Sequence, residues 1–92
     1  MKIVWTDTAI FDRRAIYEYV DAENPRAAAD LDEQFTLVID RLRTHPEMGR
    51  PGRVPGTREL IAHRHYFLVY EVVDDVVSVL AVVHTSRRWP PI

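Results

Sequence analysis

From Ala28 onward the apolar residues Ala28, Leu31, Phe35, Val38 and Leu42 recur at alternating steps of three and four, which places them in one stripe along an α-helix. Asn24-Pro25 supplies the start, because the Asn side chain accepts a bond from an orphan helix amide and proline at the first helical position needs no donor. Thr44-His45-Pro46 supplies the stop. A less regular stripe precedes it: Ala9, Asp12/Arg13, Ile16 and Tyr19/Val20, with Arg14 and Glu18 on the outer side, predicts an amphipathic helix from Ala9 to about Ala22. Any of Thr6, Asp7 and Thr8 can cap that helix, and the β-prone run Lys2–Trp5 before it predicts a short strand. The brief link between the helices makes them an antiparallel hairpin.

Between Pro46 and Gly56 lie all three glycines and three of the six prolines, so this segment predicts a loop with Arg50 and Arg53 on exposed, mobile backbone. Beyond it the texture turns to β. Thr57–His63, Tyr66–Val73 and Val76–Thr85 read as three strands, joined by the two-residue connections Arg64-His65 and Asp74-Asp75 into an antiparallel meander. The expected class is α+β: an N-terminal strand and an antiparallel helical hairpin packed on an antiparallel β-meander, in one domain spanning 1–92. These strands are apolar on both faces. Phe67, Val69 and Val73 alternate with Tyr66, Leu68, Tyr70 and Val72, yet one helical hairpin covers only one side, so the second face is expected to receive something too.

Composition narrows the class. Apolar residues make up 47% and charged residues 28%, the balance of a chain that folds and not of a disordered tail. With no cysteine, disulfides and thiolate metal sites are excluded, and the cytoplasm is the default compartment. The N-terminus turns polar after five residues, too soon for a signal peptide or membrane span. Net charge is −2, which speaks against a generic nucleic-acid binder, but the charges are unevenly spread. Residues 1–45 hold nine acids against six bases; residues 46–92 hold five acids against six arginines, so the second half carries the cationic surface.

The element order, together with Gly49-Arg50-Pro51-Gly52-Arg53, Gly56-Thr57-Arg58-Glu59-Leu60, His65-Tyr66-Phe67-Leu68-Val69-Tyr70-Glu71 and Val83-His84-Thr85-Ser86-Arg87-Arg88-Trp89-Pro90, resembles the RelE/ParE toxin superfamily over nearly the whole chain. What the resemblance implies is the growth-inhibiting toxin of a type II toxin–antitoxin module, encoded beside a cognate antitoxin, with plasmid or chromosomal-locus maintenance as usual contexts. It leaves two targets open. ParE-type members poison DNA gyrase without a recognised active site, whereas RelE-type members cut mRNA in the ribosome. RelE-type nucleases tend to carry a lysine-rich patch and a C-terminal tyrosine or histidine; this chain has only Lys2 and ends in Trp89-Pro90-Pro91-Ile92, which favours the gyrase reading. A non-toxic protein-interaction module is the alternative outside the family.

Metal-free RNA cleavage needs a general base, cations around the phosphate and a proton donor for the leaving oxygen. If the chain is a nuclease, Arg58 and Arg64 are candidates to hold phosphate, Glu59 or His63 to act as base, and His84, Arg87 or Arg88 to act as acid or clamp. Each also has a plain structural reading, as a strand-end rim histidine or as alternation across a sheet. His45, His63, His65 and His84 form no recognisable ligand spacing, so no metal and no cofactor are expected. Tyr66, Phe67, Tyr70 and Trp89 are able to stack bases, though core is the favoured reading. Under either mechanism Arg50, Arg53, Arg58, Arg64, Arg87, Arg88 and Trp89 are expected to meet an anionic target as one surface. The antitoxin is expected along the helical hairpin and the exposed sheet surface, touching Ile16, Tyr19, Phe67 and Val69.

Overall fold

In the computed structural model, which describes residues 1–91, the chain runs β1 (Lys2–Trp5), α1 (Asp7–Asp21), α2 (Pro25–Leu42), β2 (Arg50–Pro51), β3 (Thr57–His63), β4 (Tyr66–Val73) and β5 (Val76–His84). Thr6 is the residue that caps α1, its Oγ1 accepting from the Ala9 N–H at 3.2 Å. Asn24 caps α2 through Ala27 with Pro25 in the first turn, as the sequence predicts. The periodic stripe Ala28, Leu31, Phe35, Val38 and Leu42 is buried throughout, joined by Ile39.

The strands form one sheet in the order β1-β5-β4-β3-β2. β3, β4 and β5 are the expected antiparallel meander, with two-residue turns at Arg64-His65 and Asp74-Asp75. Asp74 takes φ 55°, a left-handed conformation that Asp tolerates in a tight turn. β1 lies parallel to β5, Lys2 against Val76 through Trp5 against Val79, which makes the sheet mixed. The Pro46–Gly56 segment departs from the expected loop. Arg50-Pro51 pairs antiparallel with Glu59 and Arg58 as a two-residue edge strand, and Gly52 N–H donates to Thr57 O at 2.7 Å, so the backbone carrying Arg50 and Arg53 is held to the sheet.

Two bulges break the two-residue alternation of the strands. On β5 the register shifts so that Val69 faces Ala81 while Tyr70 faces Val79, leaving Leu80 as the extra residue. Val77 and Val79 therefore pack beneath the helices, Ala81 and Val83 turn to the second face, and Val82 returns to the helix side. On β3 a shift between Ile61 and His63 leaves Ala62 over. α1 lies on β5 and α2 on β3, over a core of Phe35, Leu42, Leu68, Tyr70, Val77 and Val79.

The start of α1 fits the β5 bulge. β1 ends opposite Val79, and from there the free edge of β5 is taken over by side chains. Thr6 Oγ1 donates to Val79 O at 3.0 Å and Leu80 O at 3.3 Å, and Asp12 Oδ2 accepts from Val82 N–H at 3.1 Å. Arg13, one position on, bonds Asp32 Oδ1 at 2.6 Å and stacks over Trp5, tying the hairpin to β1.

The second face is closed in part by the chain itself. Trp89, Phe67 and Leu80 pack on a small cluster of Val69, Ala81 and Val83, and Val69 has no exposed surface. The expected covering of this face is thus supplied, over that patch, by the segment after β5.

Thr6→Val keeps the side-chain shape but removes the helix cap and both bonds to the bulge. A loss of about 1–3 kcal/mol in urea unfolding is expected, with an unchanged denaturant slope. A midpoint equal to the parent's would show that the bulge holds its shape without α1.

Candidate functional site

Residues predicted as functional in the second half of the chain sort onto the two faces of the sheet. On the helix side Arg58 lies opposite Tyr70. Its Nη1 donates to Gly49 O at 2.7 Å and Glu47 O at 3.3 Å, while Tyr70 Oη accepts from Gly49 N–H at 2.8 Å and donates to Pro46 O at 2.7 Å. Burial raises the Tyr70 pKa, opposed by the Gly49 N–H and by Arg58, so the hydroxyl remains a donor to Pro46. Gly49 is required by this close approach: a Cβ there would stand 2.7 Å from Tyr70 Oη and 2.9 Å from Glu59 O. Arg58 is thereby committed to holding the Pro46–Gly52 backbone.

On the second face Glu59 lies opposite Val69, its side chain only 12% exposed. One carboxylate oxygen accepts from Arg50 Nη2 at 3.2 Å, the other from Arg53 N–H at 3.3 Å. Beside it a depression of about 510 Å³ has Ile61, Phe67 and Trp89 among its apolar walls and Arg50, Arg53, Arg87 and Arg88 around it. Ile61 is 66% exposed there. Four of the six arginines expected as one surface share this depression with Trp89; Arg58 faces the other side, and Arg64 stands on the β3–β4 turn.

The candidate catalytic residues divide between the two faces of the sheet. His63 and His84 each lie opposite Tyr66 on the helix side, as Arg58 does opposite Tyr70, whereas Glu59 is on the second face and Arg87 follows β5. The β3 bulge causes the separation of Glu59 from His63, which strict alternation would have put on one face. Desolvation, then the neighbouring His65 and Arg64, lower the His63 pKa. His65 and His84 stack with ring centroids 5.8 Å apart, and Tyr66 meets His84 edge-on at 5.3 Å. Burial raises the Tyr66 pKa, with Tyr19 adding to it. Among the described residues no three His, Asp or Glu side chains are gathered as a metal site.

A second concavity, a groove of about 690 Å³, runs between α1 and the end of β5 and is bounded by the segment after β5. Ile16 and Tyr19 line it with Phe11, and Tyr19 and Phe11 are 79% and 71% exposed. Phe11 lies off the periodic stripe of α1, so sequence reasoning passed over it; the available signal was an aromatic side chain on the polar side of an amphipathic helix. Of the four expected antitoxin contacts, Ile16 and Tyr19 lie in this groove and Phe67 in the depression. Val69 is a correction: it is fully buried and offers a partner no surface.

Residues 3–89 match the family model for the ParE toxin of type II toxin–antitoxin system, parDE. The chain is 35% identical over 92 residues to the putative toxin Y4kP of Sinorhizobium fredii, covering 99% of this chain and 95% of the relative. It is 31% identical over 86 residues to the toxin RelE2 of Caulobacter vibrioides, covering 94% and 97%. Among solved structures it is similar to a chain of the chromosomal ParDE system from P. aeruginosa, with TM-score 0.82, 25% identity and coverage of 91% and 95%. A YoeB/ParE toxin from Agrobacterium tumefaciens shares the fold at TM-score 0.66 and 21% identity, over 91% of this chain and 98% of that one.

Tyr70→Phe leaves the Gly49 N–H and the Pro46 carbonyl without their partner. The expected cost is about 1–3 kcal/mol, with faster amide exchange confined to the Pro46–Arg53 segment. Unchanged exchange at Gly49 would mean that Arg58 alone holds it.

Proposed function

The chain belongs to the ParE toxin family of type II toxin–antitoxin systems, and from that premise we propose that it arrests bacterial growth by inhibiting DNA gyrase and is silenced by a cognate antitoxin. The observation that carries the choice of target is the engagement of Glu59 and Arg58, two of the candidate catalytic residues, in bonds that hold the fold. Cleavage through the ribose hydroxyl needs base, acid and cation around one phosphate. Here the carboxylate of Glu59 is taken up by Arg50 and Arg53 and the guanidinium of Arg58 by the Gly49 and Glu47 carbonyls, so neither is presented to a phosphate beside His63 and His84. This supports a toxin that acts by binding. The arginines around the second-face depression suit contact with an anionic surface such as a gyrase–DNA complex, since guanidinium groups pair with phosphate and release counterions. The cytoplasm is where such a target is met, and no helix among the described residues is long and apolar enough to cross a membrane.

The antitoxin reading rests on the groove beside α1, whose exposed aromatics favour burial against a partner. It is supported by the structural relatives, one from a ParDE system and another, at TM-score 0.60 and 15% identity, from a heterotetrameric YoeB–YefM toxin–antitoxin complex of Staphylococcus aureus. A disordered antitoxin segment ordering on the groove would bury Phe11, Ile16 and Tyr19 together.

Expressed alone, the protein is expected to stop growth, and the purified protein to block supercoiling by gyrase. Arg87→Ala with Arg88→Ala should weaken the block roughly tenfold or more, whereas Glu59→Gln should leave it in place. Unimpaired gyrase alongside codon-positioned cuts in translated messages would transfer the reading to ribosome-dependent mRNA cleavage.

For the antitoxin, Tyr19→Asp or Phe11→Asp should lower affinity for the cognate partner about tenfold or more with circular dichroism unchanged. An undisturbed complex would place the antitoxin elsewhere.

A further inference from the structure

Three of the four histidines meet at one end of the sheet, brought there from β3, the β3–β4 turn and the end of β5. Both bulges contribute, because each turns a histidine toward Tyr66 that strict alternation would have put on the second face. Their hydrogen bonds fix a protonation state. His63 Nδ1 accepts from His65 N–H at 3.2 Å, and His84 Nδ1 accepts from Ser86 N–H at 3.1 Å with the Ser86 hydroxyl 2.7 Å away. A backbone amide only donates, so both Nδ1 atoms must be unprotonated and any ring proton sits on Nε2. Proton uptake at Nδ1 turns the His63 acceptor into a donor facing the His65 amide, and at His84 it sets Nδ1 against the Ser86 amide and leaves the Ser86 hydroxyl as the group that can accept.

These bonds hold two linked turns. Thr85 N–H donates to His65 O and Arg87 N–H to His84 O, each at 2.9 Å, so the backbone leaving β5 is tied to the β3–β4 turn and then directed into Arg87–Trp89. Trp89 is the residue that packs on Val69, Ala81 and Val83.

Apart from the Ser86 hydroxyl, the surroundings offer added protons little compensation. Arg64 lies in the same turn, Arg87 and Arg88 follow β5, and from β4 and α1 the titratable neighbours are Tyr66, whose pKa burial raises, and Tyr19. α2 presents Phe35, edge-on to Tyr66. The groove carboxylate, Asp12, is engaged by the Val82 N–H. Among the described residues, the histidine within 4.0 Å of a carboxylate is His45, with Glu47.

We propose that His63, His65 and His84 form a proton-operated latch, which holds Trp89 on the second face while the imidazoles are neutral and releases the segment after β5 when they are protonated. Release uncovers Val69, Ala81 and Val83 and withdraws Arg87 and Arg88 from the depression they help to line. The sign follows from His63, whose pKa in the fold lies below the ordinary 6.5. Its contribution to the closed state is whole above that value and lost as pH falls through the lowered one.

The test follows Trp89 fluorescence in a Trp5→Phe background, so that one indole reports. Between pH 8 and pH 5 acrylamide quenching is expected to rise at least twofold while far-ultraviolet circular dichroism holds. In His63→Asn with His84→Asn, Oδ1 takes the place of Nδ1 as acceptor without titrating, and the rise should vanish. Equal shielding at both pH values, the same rise in the double-Asn protein, or loss of helix signal in step with quenching would overturn the latch. Should that protein not fold, nitrogen–proton spectra of the parent imidazoles decide. Protonation of His63 and His84 tracking the Trp89 indole shift supports the latch, and an indole shift while both rings stay neutral overturns it.

Discussion

At Leu80 the longest strand of the sheet takes one residue more than its neighbour needs, and the layout on either side depends on that offset. Before it, Val77 and Val79 fill the space under the helices; after it, the same strand presents Ala81 and Val83 to the opposite side and keeps Val82 inside. Beyond Val79 the same strand has a free edge where β1 stops, and leaving its backbone groups unpaired would be costly. The start of α1 resolves this, with Thr6 and Asp12 supplying the bonds that a longer β1 would have made. The first helix is therefore positioned by polar contacts to an irregular strand as well as by its apolar stripe. The groove between them, with Tyr19 and Phe11 along it, results from β1 ending at Trp5.

Much of this was legible in the sequence. Period and punctuation located both helices, the three long strands and the two-residue turns, because each is set by local chemistry: an Asn-Pro start, a three-four stripe, paired polar residues between β-branched runs. The family resemblance was visible as well, carried by several weak motifs in order. The bulges were not, since one extra residue in a β-prone run leaves no mark on composition. Their effect falls on the site: alternation groups Glu59 with His63, and the bulge at Ala62 parts them. The parallel placement of β1 was equally hidden, because four residues say nothing about which edge they will join.

Arginine has two employments in this chain. Arg58 and Arg13 have their guanidinium groups engaged by carbonyls, by Asp32 and by an aromatic ring, in the manner of structural fasteners. Arg87 and Arg88 stand at cavity edges, where their charges remain available. Arg50 is intermediate, paired with Glu59 yet itself 71% exposed, an ion pair of small net worth that can exchange partners. Spacing along the sequence does not separate these classes; the difference lies in which face and which carbonyls each side chain reaches.

The parallel pairing of β1 with β5 also has a consequence for biosynthesis. Lys2–Trp5 is made well before its hydrogen-bonding partner Val76–Val79, and everything between must be looped out before the ladder can close. Until then Thr6 and Asp12 have no strand to grip, and Trp89 does not yet exist to cover the second face. A nascent chain of this topology thus cannot close the ladder, or seat the start of α1, until β5 has been made.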